Sequence, residues 1–301
     1  MMYVLLRVCR LAAFVGLALA GTACVVTVDA GRYSDREEKQ WRVTGTPDVT
    51  LVTFDGSIEV RSWDRAEVRV EIEKSAQDKA LADKIQVTAE QSGNTITVEA
   101  KKPPAVESLF GLKVSPSAKI IATVPRECNL VARSGDGSIS LERIEGRIEV
   151  HSGDGGLRGQ DLAGSLRAHT GDGSVRFQDV RGAVDIDTGD GTGEVSGKLD
   201  VLRLRTGDGS VHVRAEDGSA MSADWEIRTG DGSVRVELPE TFVATLDAST
   251  GDGRVFVEGF GEPASAGQDE DSHAALKRPL GPGGKLLRLR TGSGGITVTV
   301  R

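Results

Sequence analysis

The sequence predicts an all-β fold: a single-chain β-solenoid of stacked rungs of about 18 residues, each with two short strands and turned at Gly-Asp-Gly corners. Three observations carry this prediction. A tetrad, [ST]-G-[DS]-G, begins at Ser134, Ser152, Thr170, Thr188, Thr206, Thr229, Thr250 and Thr291, and its first four intervals are each 18 residues. Apolar and polar residues alternate on both sides of it, which is the period of a strand and not of a helix. Glycine is abundant at 38 residues while aromatics make up only 4%, so the core must be long, thin and built from Val, Ile and Leu.

Taken from the N-terminus, residues 1–23 read as a lipoprotein-type signal peptide. Arg7 and Arg10 form a positive end, and the apolar run 11–20 is too short to span a bilayer. Gly21-Thr22-Ala23-Cys24 resembles a bacterial lipobox, which implies lipidation of Cys24 as the mature N-terminus. Gly21 departs from the Leu usual in that motif, and Ala18-Leu19-Ala20 offers a competing cleavage site. Val25 is not the Asp associated with inner-membrane retention, so the resemblance favours the outer membrane in a Gram-negative host. Residues 24–40 are polar and charged and are expected to form a tether.

Residues 41–130 read as divergent β rungs. LVTFDGSIEVRSW contains an Asp55-Gly56 corner between alternating strands, and AEVRVEIE, KIQVTAEQ, NTITVEA and IIATVP continue the alternation. The Ala/Lys/Asp-rich residues 75–83 suit one or two helical turns, and KKPPAVESLFGLKVSPSA is a Pro-broken excursion. Beyond Cys24, the only cysteine left after leader removal is Cys128, so no disulfide framework is expected and Cys128 reads as a small buried apolar residue.

Residues 131–261 are the regular solenoid. Its first unit places Ile139, Leu141, Ile144, Ile148 and Val150 at the offsets where the third places Val175, Phe177, Val180, Val184 and Ile186. An [ILV]-x-G corner stands at mid-unit as Ile144-Glu145-Gly146, Leu162-Ala163-Gly164 and Val180-Arg181-Gly182, with Asp200 in the glycine's place in the fourth unit. One rung cannot stand alone, since each buried side chain contributes about 1.5–3 kcal/mol against about 1–2 kcal/mol of backbone entropy per ordered residue. Residues 262–285 read as a mobile Gly/Pro-rich loop. Residues 286–301 return as C-terminal strands, leaving an edge at Arg301 that arginines protect.

The repeated tetrad is architectural on this reading: Asp-Gly turns tightly, and flanking glycines let neighbouring corners approach. It creates an exposed column at Asp136, Asp154, Asp172, Asp190, Asp208, Asp231 and Asp252. Neighbouring carboxylates about 4.8 Å apart in water repel by roughly 0.9 kcal/mol, relieved by turn hydrogen bonds, by arginines such as Arg158, Arg176 and Arg235, or by cations. Calcium wants six to eight oxygens, more than one carboxylate column supplies, so these aspartates read as structural and no metal is assigned. His151 and His169 share an offset one rung apart and are expected to touch. No H-E-x-x-H, G-x-S-x-G, Walker or C-x-x-C motif occurs, so no catalytic residue and no cofactor are assigned. A net charge of -8 argues against nucleic acid as a partner.

The lipobox-like leader, the divergent N-terminal strands and the [ST]-G-D-G-S-[VI] ladder together resemble the bacterial "putative adhesin" β-strand-repeat family, a family of unknown function, over residues 41–301. The resemblance implies a non-enzymatic, envelope-associated solenoid with no agreed ligand. The expected role is a binding or scaffolding surface, adhesin-like, for an envelope or extracellular protein or glycan, anchored by the N-terminal lipid and facing the periplasm or the cell surface. Three alternatives make other predictions: a calcium-stabilised module, a β-helix enzyme acting on polysaccharide, and a periplasmic envelope-stress sensor.

Overall fold

The computed structural model describes residues 26–29, 32–102, 115–267 and 273–300. The chain is all-β, and the strands of the described residues join in one 22-stranded sheet that folds along its length into a solenoid-like stack. Among the described residues the one helix, Lys79–Ala82, lies within the helical stretch expected at 75–83, and Asp78 caps it by accepting the Leu81 N–H at 2.8 Å.

The regular rungs are Ile139–His151, Leu157–Thr170, Val175–Thr188 and Gly193–Thr206. They pair in parallel, and the first three keep an 18-residue register, Ile139 facing Leu157 and Leu157 facing Val175. The five offsets picked out in the sequence all point inward and are buried. Phe177 and Trp225 are the largest fully buried side chains. Gly159, below Phe177, makes room for it: a Cβ there would come within 2.7 Å of the Phe177 ring.

In each regular rung the two expected strand segments run on into each other as one bent strand. The middle corner bends the chain without breaking the ladder, because Ile144, Leu162 and Val180 remain in register through it. The bend combines two kinds of residue. Gly146, Gly164 and Gly182 have φ of 147°, 106° and 118°, and three residues earlier Arg143, Asp161 and Asp179 have φ of 58°, 52° and 55°. In the fourth rung Gly197, with φ of 144°, stands 18 residues after Asp179. Gly182 there faces Leu199, and Asp200, expected in the glycine's place, is left out of the ladder between Leu199 and Val201.

Chain order and stacking order differ at both ends. At the N-terminal end, the rung of Asp48–Thr53 and Ile58–Trp63 lies between the rung of Thr95–Lys101 and Ser117–Pro125 and the rung that begins at Asn129–Ser134. Glu67–Ala76 and Gln86–Ser92, expected as rungs, are antiparallel caps on Ser117–Pro125 and Thr95–Lys101. The expected tether is also corrected. Arg32–Arg42 is a strand antiparallel to Glu67–Ala76, and its charges pair across that contact, Arg36 with Glu71 and Glu38 with Arg69.

At the C-terminal end, the last strands in sequence, Leu286–Ser293 and Ile296–Val300, are not an edge. They lie between Trp225–Asp231 and Val234–Leu238 on one side and Ala244–Asp252 and Val255–Glu258 on the other. The stretch 262–285, expected as a loop, supplies antiparallel caps for that outermost rung, Ala264–Ala266 and Ala274–Leu280, with Ala274 and Leu280 buried. Lys277 and Pro279 on the outer cap suit an edge that resists further pairing. The signal peptide, Cys24, most of the Pro-broken excursion and Arg301 lie outside the described residues.

Candidate functional site

The tetrad column explains itself from the inside. Its Ser and Thr side chains, starting with Thr53 and Ser134 and ending with Thr250 and Thr291, are buried. Each hydroxyl from Ser134 to Thr229 donates to the carbonyl of the second tetrad-corner glycine in the preceding rung. Ser152 reaches the Gly137 carbonyl at 2.9 Å, Thr170 that of Gly155 at 2.9 Å, Thr188 that of Gly173 at 2.9 Å and Thr206 that of Gly191 at 2.8 Å. The same oxygen accepts an N–H from its own corner where Gly155 donates to Ser152 at 3.1 Å. From Gly153 to Gly230 the first glycine of the tetrad donates its N–H to the carbonyl of the first glycine of the rung before, as Gly171 does to Gly153. The tetrad hydroxyls therefore bond from rung to rung as well as within their own turn, and they hold the outer faces in fixed register.

On the outside of this corner stand Asp136, Asp154, Asp172, Asp190, Asp208, Asp231 and Asp252, all exposed. From Asp136 to Asp231 each leans along the stack: Asp172 Oδ1 lies close enough to Gly189 that a Cβ there would come within 3.0 Å of it. Ser293, from the tetrad without an aspartate, faces both Asp231 and Asp252 and interrupts the column between them. The arginines proposed to relieve the column lie elsewhere. Arg158 and Arg176 are neighbours in a row on the strands leaving the tetrads, where Arg176 pairs with Glu194 at 2.6 Å, and Arg235 faces His212 in the same row. Among the described residues no group of three or more His, Cys, Asp or Glu side chains is placed to hold a metal ion.

His151 and His169 do meet, their rings stacked 4.9 Å apart and 9° from parallel. Burial, then the neighbouring His169 and Arg133, lower the His151 pKa below its ordinary 6.5. His212 lies 3.1 Å from Glu237, and His273 is exposed. Cys128 is buried and free, and burial pushes its thiol up to about 12, in keeping with a small core residue.

Reading the sequence did not bring out the charge pattern on the face that leads into the tetrads. One outward row runs Glu149, Arg167, Asp185, Arg203, Glu226, Arg288, Asp247, Lys277, alternating in sign across eight strands. The first four members were visible as an 18-residue spacing; the rest depend on the permuted stacking order. Single exposed pairs of this kind are worth about 0.2–1 kcal/mol each, but like charges placed opposite would be destabilising, so alternation favours this register over others. Glu226 is held below the ordinary carboxylate value by a 2.8 Å hydrogen bond from Arg205, and by the charges of Arg205, Arg203 and Arg288, against burial that raises it.

A family model described as Toastrack DUF4097 matches residues 49–299. Among solved structures, the chain is similar to a "putative lipid binding protein" from Parabacteroides distasonis ATCC 8503, at 15% identity and a TM-score of 0.46, covering 87% of this chain and 96% of that one. It is also similar to a "putative adhesin" from Parabacteroides merdae ATCC 43184, at 10% identity and a TM-score of 0.40, covering 87% and 95%. A third, a "putative adhesin" from Bacteroides fragilis NCTC 9343, aligns at 12% identity and a TM-score of 0.39, covering 88% and 97%. No curated protein matches the chain.

Proposed function

The chain belongs to the Toastrack DUF4097 family, and from that premise we propose that it is a non-enzymatic binding or scaffolding surface, adhesin-like, held at the bacterial envelope by a lipid on Cys24. The observation that carries this reading is the outer face. Its side chains stand in in-register rows, one per rung at about 4.8 Å, which offers repeated contacts to an extended partner. The buried hydroxyl ladder behind those rows fixes their geometry before any partner arrives, and a preorganised surface loses little conformational entropy on binding. The lipid reading rests on the lipobox-like Gly21-Thr22-Ala23-Cys24.

The test is protease shaving of intact cells that produce a C-terminally tagged protein, with Cys24→Ala as the anchoring control. Wild type is expected to fractionate with membranes and the variant to be released. Identical membrane retention of both would overturn the lipid anchor. Loss of the tag from intact cells would assign a surface-facing role, and protection until the envelope is opened would assign a periplasmic one. Wild type that remains in the cytoplasm would end the envelope reading.

A further inference from the structure

We propose that a cationic island on the face leading into the tetrads binds an acidic glycan chain, a reading that rests on the binding role above and names its partner. Three consecutive strands in the stack build the island: Gly193–Thr206, Trp225–Asp231 and Leu286–Ser293. Two outward rows cross them. One row is Arg203, Glu226, Arg288 and the other is Arg205, Arg228, Arg290. Five of the six positions in this two-by-three grid are arginine, on a chain whose net charge is -8. Asp185 and Asp187 bound the grid on one side, and Asp247 and Ser249 on the other.

The acids within reach are already engaged. Glu226 takes Arg205 at 2.8 Å, and Asp247 takes Arg290 at 2.8 Å. Among the described residues, Arg203, Arg228 and Arg288 make no side-chain hydrogen bond and no close ion pair, Arg203 and Arg288 acting on Glu226 only through their charge, and all three are exposed. Their guanidinium groups are forks suited to two-point contact with an oxyanion.

Spacing selects the partner. Arg203 and Arg288 are two rungs apart, about 9.5 Å, with Arg228 between them on the neighbouring row. That interval is close to the disaccharide repeat of an extended glycan, so a chain with one carboxylate per disaccharide meets Arg203 and Arg288 in step. An extended peptide presents same-face side chains only about 6.8 Å apart and falls out of step. An anionic bilayer would press as well on Asp185, Asp187 and Asp247, which frame the island. The proposed glycan is a single thread lying along the rows.

The experiment is titration of the folded protein with a hyaluronan octasaccharide, which carries one carboxylate per disaccharide. Dextran, phosphatidylglycerol vesicles and a single-stranded DNA oligonucleotide are the other arms. The octasaccharide is expected to bind, more weakly as salt is raised, and dextran not to bind. The variant Arg203→Ala/Arg228→Ala/Arg288→Ala is expected to lose at least tenfold in affinity with an unchanged melting temperature. Arg158→Ala/Arg235→Ala, on the strands leaving the tetrads, is expected to bind as wild type does. Glu226→Gln removes the one acid in the grid and is expected to tighten binding several-fold, a gain that misfolding does not produce. Undiminished binding by the triple variant, or tighter binding of vesicles or DNA than of the octasaccharide, would overturn the proposal. Envelope fragments separate the two readings. If wild type and triple variant are retained equally, the island falls and the wider binding role stands; if neither is retained and no glycan binds, both fall.

Discussion

Each regular rung turns twice, and its two corners keep their shape by different means. At the tetrad corner the letters repeat, because a buried side chain makes the bond between rungs: a hydroxyl donates to the glycine carbonyl of the rung before, as Thr170 does to Gly155 at 2.9 Å. At the middle corner the letters drift through RIEG, DLAG, DVRG and GKLD while the bend persists. There the turn rests on backbone torsion, with a left-handed residue followed three positions later by a glycine of positive φ in the first three rungs. Sequence is conserved from rung to rung where a side chain carries the bond, and it is free to vary where torsion alone suffices.

The sharpest way to break this contrast is Gly173→Ala at the tetrad corner. Its Cβ would come within 2.3 Å of the Gly155 carbonyl oxygen and 2.6 Å of Thr170 Oγ1, and both belong to the bonded ladder. A loss on the order of 3–5 kcal/mol is expected in denaturant unfolding, or failure to fold. A near-neutral result would show that neighbouring rungs part easily and that the tetrad is not the rigid element. Next in size is Ser152→Ala, which leaves the Gly137 carbonyl and the Gly155 N–H without their buried partner. About 2–3 kcal/mol is expected from stranding those two groups.

The middle corner predicts the opposite sign. Asp179 holds φ of 55° and is exposed. An L-residue pays roughly 1–2 kcal/mol for that conformation and glycine does not, although glycine costs about 0.5–1 kcal/mol more to order. Asp179→Gly is therefore expected to raise the unfolding midpoint, by roughly 0.5–1 kcal/mol of stability. Asp161 is a poorer test, because it also pairs with Arg126 and Arg181. If Asp179→Gly destabilises, side-chain contacts and not torsion hold the middle corner, and the contrast between corners fails.

The same distinction explains what could be read from the sequence. The fold class and the inward offsets repeat with the 18-residue period, so local pattern revealed them; the Ser/Thr positions repeat with it too, but their burial and their bonds to the rung before depend on how the rungs stack. The left-handed positions did not show, because the same offset carries Arg143 in one rung and Asp161 and Asp179 in the next two, and only aspartate favours that conformation. Stacking order at the ends is a non-local choice of partner edge, and hydrophobic alternation is the same for every order. Two clues lay in the letters: the 41-residue interval between Thr250 and Thr291, and the charges of Glu226, Asp247 and Arg288. Stacked in chain order, Glu226 would face Asp247; inserting the last strand places Arg288 between them. The aspartate column was legible because it repeats within the regular rungs. The arginine grid was not, because two of its members, Arg288 and Arg290, join it only through that insertion.

The smallest expected effect tests how firmly the tetrad side is held. His151 precedes the buried Ser152, and its ring stacks on His169 of the next rung. Burial, with His169 and Arg133 nearby, holds its pKa below 6.5, so as pH falls the unfolded chain takes up this proton first. The stabilisation is fully present above pH 6.5 and declines as pH falls from there to the folded-state value, below which it is flat. Unfolding midpoints of wild type and His151→Gln, compared at pH 8 and pH 5.5, are expected to converge or cross toward the acid side, because only wild type carries this loss. Carboxylates titrate in both proteins and cancel in the comparison. Parallel pH profiles would mean that the two rings do not stay stacked, and that the register fixed by the hydroxyls one residue away does not extend to the outward row beside them.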